Sequence, residues 1–547
     1  MLPMHGLRRL DRPLLRLVFV ALLSFTVLAV CSKSSFLYPM NNWVDVNCFF
    51  TVGRGIVHGL MPYRDLYEQK GPLLLLYALA SLVSENSFLG VYLLEGLCFS
   101  CFLHLSGRIA QTVTGSRVIY WPAAAVMALA VPLSGAFTHG SSAEECFLPV
   151  MALGLWLVLR ALRADRPLGD GEGFVLGLCT AAALWTKYTF CGLFAGLALA
   201  VMIRYLATGR AGRLLRLIGF FLLGLAALSG AVVGWFALRG ALGDLWQVYF
   251  IDNLTKYPRS VSPGRLFLLP LKIAWRNLTW CPLAALGLIW IAVCRKEHAR
   301  EAPAVWLSAL CLFASTYFGG RDYIYYGLVF AVFSPLGLAA AGALARQFLP
   351  RSCAFLTKPG RLTRTALAAA LVLLLANPLL ALGLCGNTYM LGLPMEATPY
   401  GQFAQIIRQQ EDRSLLNYGF LDGGFYFAAG QQTPDRYFCL LNLTNPDMEA
   451  GQEACVAEKR TAFVVTRGRS DFSPEEQNRF WRQMADNPDY RLVRQMEWVV
   501  ERRYVYALYQ RVDAVPPEAP AFPLDAPIPS LRYSTLQKRP HFSRDDK

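Results

Sequence analysis

The chain has 547 residues, of which 55% are hydrophobic and only 16% are charged, and its mean hydropathy is +0.37. A soluble protein of this length carries more charge, so the composition indicates a membrane protein. The formal net charge is +15, but the basic residues form short clusters between apolar segments, as they do in cytoplasmic loops. This distribution argues against a nucleic-acid partner and predicts a protein of the cell (plasma) membrane, in contact with its lipids.

The apolar segments predict a polytopic α-helical domain over residues 1–386. The first segment, 14–31, follows a basic N-terminus and is interpreted as an uncleaved anchor with a cytoplasmic N-terminus; an export signal is the alternative. With about 20 residues per span, the chain contains about eleven crossings. The remaining helices are expected near residues 88–107, 117–134, 145–162, 173–187, 189–205, 214–238, 278–294, 302–318, 323–345 and 364–385.

The basic clusters fall in the loops that this scheme assigns to the cytoplasm, with one exception. The loop at 239–276 is assigned to the outside, yet it is rich in lysine and arginine. Either a crossing is misplaced or these charges meet an anionic group there. Asn253, Lys256 and Tyr257 are the residues of this loop that would touch a lipid phosphate or an anionic glycan.

The outer loop after the first span, residues 33–87, is the most informative segment. It carries Asp45, Arg54 and Lys70, and it leads into the apolar stretch 72–83, which is too short to span and predicts an interfacial or re-entrant helix. A carboxylate followed by cations suits a hydroxyl acceptor and a phosphate-bearing lipid. Asp45 also suits the cap of an interfacial helix, and Arg64 with Asp65 suits a local ion pair.

Three later positions carry polar groups at or near membrane depth. Lys187 interrupts the hairpin at 173–205. Inserting a lysine at membrane depth costs about 2.5–3.5 kcal/mol of free energy. We therefore expect Lys187 to contact the phosphate of a lipid donor or an acid such as Glu95. Glu145 lies at the outer end of a span and is a candidate for the acceptor site. Arg321 lies beside Tyr323 and Tyr326, whose rings suit either a sugar or the membrane interface.

From residue 387 the apolar runs shorten and strand and helix patterns alternate, which predicts an exported α/β domain over 387–513. Its expected strands are 414–418, 436–441, 462–466, 491–498 and 504–510, with a helix that begins at Ser473. Cys439 and Cys455 lie in this domain, and the sequence leaves their pairing open. Residues 514–547 are rich in proline and charge and predict a disordered tail.

Several motifs carry a resemblance to a known family. They are Asp45 with Arg54, PYRDLYEQKGPL at 62–73, Glu144-Glu145, WTKYT at 185–189 and GGRDYIYYG at 319–327. Over residues 14–345 the chain resembles the GT-C integral-membrane glycosyltransferases and is similar to protein O-mannosyltransferases and lipid A aminoarabinose transferases. The resemblance implies transfer of a sugar from a polyprenyl-phosphate donor to an extracytoplasmic lipid, glycan or protein, with inversion.

The resemblance also implies roles for particular residues. Asp45 would be the catalytic base, and Arg54, Lys70, Lys187 and Arg321 would bind the donor phosphate. The expected substrate-binding residues are Tyr63, Glu145, Tyr323 and Tyr326. No metal ligands or certain cofactor are predicted, and use of a divalent cation is left open. Gly71 replaces the first proline of the family's lysine-proline-proline motif, which predicts a less constrained turn.

Two other classes fit part of the pattern. A transporter or flippase of lipid-linked glycans also needs many helices and intramembrane charges, but such proteins show related halves and this chain has no internal repeat. A membrane glycan polymerase or ligase concentrates its charges in a later outer loop. No nucleotide-binding or zinc-protease motif is present, so the transferase is the preferred hypothesis.

Overall fold

The structure, a computed structural model, describes residues 13–257, 262–348, 359–433, 435–498 and 503–514. Apart from Ala514, the predicted tail at 514–547 lies outside the described residues. The chain divides into two compact units. One ends at Cys385 and includes the short segment Asn442–Thr444, and the other begins at Gly386.

The first unit is built of helices, and each predicted apolar segment contains one. Among the described residues, six helices are long and apolar enough to cross a membrane, or seven if the bent pair Gly264–Arg276 and Cys281–Val293 is one span. These lengths define a polytopic membrane protein. The main helices are Pro13–Cys31, Leu89–Thr114, Tyr120–Ala130, Ala143–Arg163, Asp170–Thr186, Cys191–Ala207, Ala211–Leu238, Cys281–Val293, Ala302–Tyr317, Ser334–Phe348 and Pro359–Leu384.

The segment after the first span was predicted as a loop, and the structure corrects this. It begins with a helix, Val44–Val57, which buries most of its residues. This helix packs on the short apolar helix Leu74–Val83, the expected interfacial or re-entrant element. A Cβ at Gly53 would lie 2.6 Å from the carbonyl carbon of Tyr77, so the contact between the two helices depends on glycine at this position.

The hairpin at 173–205 is broken where the sequence predicts. One helix ends at Thr186 and the next begins at Cys191, with a single 3₁₀ turn, Tyr188–Phe190, between them. Lys187 has extended backbone angles, φ −161° and ψ 106°. The break therefore exposes backbone carbonyl groups of the preceding helical turn to partners from another segment.

Two long helices of this unit approach each other through glycines. A Cβ at Gly177 would lie 2.0 Å from the carbonyl oxygen of Phe221, and a Cβ at Gly224 would lie 2.0 Å from that of Phe174. Small residues allow membrane helices to bring their backbones close together. The pairing of Asp170–Thr186 with Ala211–Leu238 therefore depends on the absence of side chains at these two positions.

The second unit is an α/β fold around a four-stranded sheet. Its strands are β1 (Leu415–Tyr418), β2 (Phe463–Arg469), β3 (Tyr490–Trp498) and β4 (Tyr504–Arg511), in the order β1-β2-β4-β3. β1 and β2 are parallel, and β4 pairs antiparallel with both β2 and β3. The helices of this unit are Pro399–Arg408, Phe425–Ala429, Pro446–Ala457 and Arg479–Ala485.

The predicted strand at 436–441 is wrong. Asp435 accepts a hydrogen bond from the backbone N–H of Tyr437 at 2.9 Å, and such an aspartate turn curls the chain out of extended geometry. The helix expected from Ser473 begins as a 3₁₀ turn, Pro474–Glu476, and becomes α-helical only at Arg479. Cys439 and Cys455 are both buried free thiols.

The glycine contact can be tested by adding one methyl group. Gly224→Ala forces the two helices apart and should destabilise the protein by about 1–3 kcal/mol, the usual cost of overpacking. Gly230→Ala is the matched control, because it lies on the same helix and its Cβ would meet no atom within 4 Å. Thermal unfolding in detergent should show a lower Tm for the first variant only. Equal shifts would contradict the proposed contact.

Candidate active site

The segment from Tyr63 to Lys70 is held in place by hydrogen bonds along its length. The Tyr63 hydroxyl donates to the carbonyl of Lys70 at 2.6 Å, the Asn253 amide donates to the carbonyl of Gln69 at 2.7 Å, and the Tyr67 hydroxyl donates to Asp252 at 2.7 Å. Tyr63 is completely buried and has φ +71°. Tyr63 thus helps to fix the segment, and its complete burial does not support the substrate-binding role expected for it.

Gly71 fixes the end of this segment against the broken hairpin. Its N–H donates to the carbonyl of Thr186 at 3.3 Å, and the N–H of Leu73 donates to that of Trp185 at 3.2 Å. A Cβ at Gly71 would lie 2.1 Å from the Trp185 oxygen, so no other residue fits without movement. The less constrained turn predicted here is wrong, because backbone contact replaces the restraint that proline would supply.

Lys70 lies between two carboxyl groups. Burial lowers its pKa, but the nearby negative charge of Asp45, with a contribution from Glu68, outweighs this effect, and the pKa of Lys70 is raised. Asp45 occupies the first turn of Val44–Val57, where a negative charge is favoured by the helix dipole. No hydrogen bond or ion pair joins its half-buried carboxylate to another described residue, so this group is open to an acceptor.

Lys187 is paired, and its partner is not the one expected. Its ammonium donates to Glu144 at 2.6 Å and lies 3.4 Å from the centre of the Tyr326 ring. The expectation of Glu95 as partner is therefore wrong. Glu144 and Glu145 are neighbours on one helix and point about 100° apart, so only the first of them faces the helix break.

Arg321 is held by aromatic rings. Its guanidinium carbon lies 4.3 Å from the centre of the Tyr257 ring, and its Nη1 donates to the Tyr323 hydroxyl at 3.2 Å. The Tyr257 hydroxyl lies 3.3 Å from that of Tyr326, the ring above which Lys187 lies. Among the described residues, Nε and Nη2 of Arg321 are buried without a hydrogen-bond partner. Two charged donors are thus available to an anion.

Arg54 lies away from this cluster. It follows Asp45 by nine residues, or two and a half helical turns, so the two side chains point to opposite sides of the helix. Its Nε lies 3.9 Å from Glu85, and its side chain is almost completely buried. The phosphate-binding role expected for Arg54 is not supported by this placement. Arg64 and Asp65 form the predicted local ion pair, with 2.9 Å between them.

Glu145 belongs to a second buried group. Glu145 and Glu95 both accept the N–H of Ser141, at 2.8 and 2.9 Å, and Glu95 also accepts the hydroxyl of Ser32 at 2.6 Å. Ser141 has φ +64°, and a Cβ at the preceding Gly140 would lie 2.6 Å from Glu95. These carboxyls therefore hold the loop before Glu144, and this placement does not support the acceptor-site role expected for Glu145.

The basic outer loop at 239–276 is partly neutralised by the chain itself. Lys256 pairs with Asp252 at 3.1 Å, and Lys272 pairs with Asp322. Tyr257 contributes to the cluster through Arg321. The unexpected charge of this loop is thus explained, for these two lysines, by one acid a helical turn away, Asp252, and one distant in sequence, Asp322.

The sequence analysis missed Glu68, Glu144 and Trp43 as residues of the site. Glu68 is two residues from Lys70, and Glu144 adjoins the candidate Glu145. Spacing in the sequence alone did not separate these two acids from their neighbours. Trp43 precedes the helix of Asp45, and its ring lies 5.3 Å from that of Tyr325. The described residues contain no group of three or more histidine, cysteine or acidic side chains able to hold a metal ion.

The helical unit and its cluster of cations, carboxyls and tyrosines have the architecture of the GT-C membrane fold. No family model and no curated protein matches the sequence. Two crystal structures of ArnT from Cupriavidus metallidurans match, one bound to undecaprenyl phosphate (TM-score 0.57) and one in the apo state (TM-score 0.56). Each is 17% identical and covers 90% of this chain and 97% of its own. This likeness confirms the predicted polytopic GT-C-like membrane fold.

A third match is an oligosaccharyltransferase from Archaeoglobus fulgidus, crystallised with Zn and sulfate. Its TM-score is 0.47 at 14% identity, covering 82% of this chain and 67% of that chain.

The pairing of Glu144 with Lys187 can be tested by a double-mutant cycle. Glu144→Gln leaves a buried ammonium without a counter-charge and should destabilise the protein by about 3–5 kcal/mol. Combining it with Lys187→Met removes the unpaired charge, so the double variant should recover part of that loss. Thermal unfolding of the three variants in detergent measures this. Strictly additive losses would show that the two side chains do not interact.

Proposed function

We propose that this protein is a glycosyltransferase that moves a sugar from a polyprenyl-phosphate donor to an extracytoplasmic acceptor, with inversion at the anomeric carbon. The fold supports the class of reaction, and the ArnT structure bound to undecaprenyl phosphate suggests the class of donor. The acceptor is a lipid, a glycan or a protein.

The observation that carries the proposal is the state of Arg321. The buried Nε and Nη2 of Arg321 lack hydrogen-bond partners among the described residues, which is costly unless an anion completes them. Lys70 lies near the same tyrosines, because Tyr257 and Tyr326 contribute to the electrostatic environment of its ammonium. A phosphate between Lys70 and Arg321 would receive charge-assisted hydrogen bonds from both.

The chemistry requires few protein groups. The Asp45 carboxylate takes the proton of the acceptor hydroxyl as the acceptor oxygen bonds to the anomeric carbon. The bond from that carbon to the phosphate oxygen breaks, and its electron pair stays on the lipid phosphate. Because phosphate leaves as a stable anion, no second carboxyl group is needed to protonate it, unlike in a glycosidase. Lys70 and Arg321 stabilise the charge that develops.

The remaining cluster residues have supporting roles in this proposal. Lys187, neutralised by Glu144 at 2.6 Å, positions the ring of Tyr326 and adds a weaker field at the phosphate. Tyr323 and Tyr326 offer hydroxyls and ring faces to the sugar. For this glycosyltransferase we also propose a membrane topology with about eleven crossings, a cytoplasmic N-terminus and an extracytoplasmic α/β unit.

The role of Asp45 is tested by Asp45→Asn, which keeps the shape of the side chain and removes the base. We expect transfer to fall by about 10²–10⁴-fold, the usual contribution of a general base, with folding unchanged. The measurement is the profile of envelope glycans and lipid-linked sugars in host cells. A sugar modification should disappear while its polyprenyl-phosphate donor accumulates, as in cells without the protein.

Asp65→Asn is the matched control for this experiment. It makes the same carboxyl-to-amide change in the same outer segment, at an acid paired with Arg64. Its profile should equal that of the wild type. If Asp45→Asn also equals the wild type, Asp45 is not the base.

The role of Arg321 is tested by binding. Arg321→Gln removes two charge-assisted donors and should weaken binding of undecaprenyl phosphate by about tenfold or more, since such bonds contribute about 1.5–3 kcal/mol. Titration of the purified protein in detergent, followed by native mass spectrometry, gives the Kd. Arg239→Gln, at an exposed arginine, is the control and should bind as the wild type does. Equal affinity of both variants would exclude Arg321 from the phosphate site.

A further inference from the structure

Glu68 is a buried carboxyl group that the proposed chemistry does not use. It is 2% exposed, and its Oε1 accepts the backbone N–H of Lys70 at 3.1 Å. Its other oxygen, Oε2, is buried and has no hydrogen-bond partner among the described residues. Burial, reinforced by Asp45 and opposed by Lys70, raises the pKa of Glu68 to about 7. The side chain is therefore poised between its neutral and charged forms near neutral pH.

The surroundings leave Glu68 little freedom to move. The carbonyls of Gln69 and Lys70 are bound by Asn253 and Tyr63, and the N–H of Gly71 is bound by Thr186. These contacts fix the backbone that follows Glu68, and its buried side chain accepts a hydrogen bond from the Lys70 N–H, so the folded site places the carboxyl group next to Lys70.

The ionisable groups around Glu68 come from three segments. Asp45 faces it from the helix Val44–Val57, and Lys70 and Tyr63 face it from its own segment. The segment that packs on the other side contributes Asp252, which is already bound by Tyr67 and Lys256. Lys70 is therefore the cation on which a change of charge at Glu68 acts most directly.

We propose that Glu68 is a positioning residue that sets how strongly Lys70 binds the phosphate of the lipid substrate. When Glu68 is charged, its negative charge beside Lys70 weakens the field that the ammonium offers to the phosphate, and when Glu68 is protonated, this effect is removed. This inference rests on the proposed function and adds to it a residue that tunes the affinity for the donor. No bond forms or breaks at Glu68.

The test is the Kd of undecaprenyl phosphate for the wild type and for Glu68→Gln, measured with the full chain in detergent from pH 5.5 to 8.5. The phosphate group itself titrates near pH 6. The informative quantity is therefore the Kd of the wild type divided by the Kd of Glu68→Gln at each pH. The ratio should be close to one at pH 5.5, where Glu68 is neutral. It should rise to about tenfold at pH 8.5, the effect of one pKa unit of coupling, with the variant binding more tightly.

Two controls separate the outcomes. Asp65→Asn should show a ratio of one at every pH. In a Lys70→Ala background, Glu68→Gln should change the pH dependence less, because the part of its effect that passes through Lys70 is lost. A ratio that does not vary with pH, or one that varies as strongly without Lys70, would overturn the role of Glu68 alone. Failure of both proteins to bind undecaprenyl phosphate at any pH would overturn the proposed function as well.

Discussion

The backbone contact between Gly71 and the carbonyl of Trp185 is the constraint on which the rest of the site depends. It joins a segment that follows the first span to a helix break more than a hundred residues later. The two backbones are so close that a methyl group at position 71 would not fit between them. Because both partners are backbone atoms, the contact fixes the position of the chain and not only of a side chain. Lys70, which adjoins Gly71, and Lys187, two residues after Trp185, are thereby held at the same tyrosine cluster.

The three cations of this cluster differ in how their charges are balanced. Lys187 has a direct carboxylate partner in Glu144, and Lys70 lies in the field of Asp45 and Glu68. Arg321 contacts aromatic rings and a hydroxyl and has no carboxylate partner among the described residues. A buried charge without a partner costs more than a paired one. Arg321 is therefore the least neutralised of the three cations, and an anionic ligand gains most free energy by binding there.

Much of the fold could be predicted from the sequence because it depends on local patterns. Apolar runs located the helices of the first unit, and the break at Lys187 followed from one charge in an apolar hairpin. The helix at Val44–Val57 was missed because its charged and aromatic residues resemble those of a loop. The false strand at 436–441 has the right alternation, but a turn centred on Asp435 prevents extension.

The site was less predictable, because its partners are distant in sequence. Asp45, Lys70, Lys187 and Arg321 were chosen by residue type together with the resemblance, and their roles stay predictions. Glu145 was chosen over its neighbour Glu144, yet Glu144 is the one that pairs with Lys187, because the pairing depends on which face of one helix meets another segment. Tyr63 and Arg54 have suitable chemistry, but their burial and their partners, Lys70 and Glu85, are fixed only by tertiary packing.

The loop before Glu144 has a consequence for how this sequence can diverge. Gly140 has φ +87°, and a side chain there would meet both the Ser32 hydroxyl and the Glu95 carboxylate, at 2.5 and 2.6 Å. Position 140 is therefore restricted to glycine twice, by its left-handed backbone and by these contacts, and smaller residues at 32 and 95 would relieve only the contacts. Loss of either Ser32 or Glu95 would also remove hydrogen bonds around Ser141, whose own φ is positive. Position 140 should thus be less replaceable than either of its two neighbours in space.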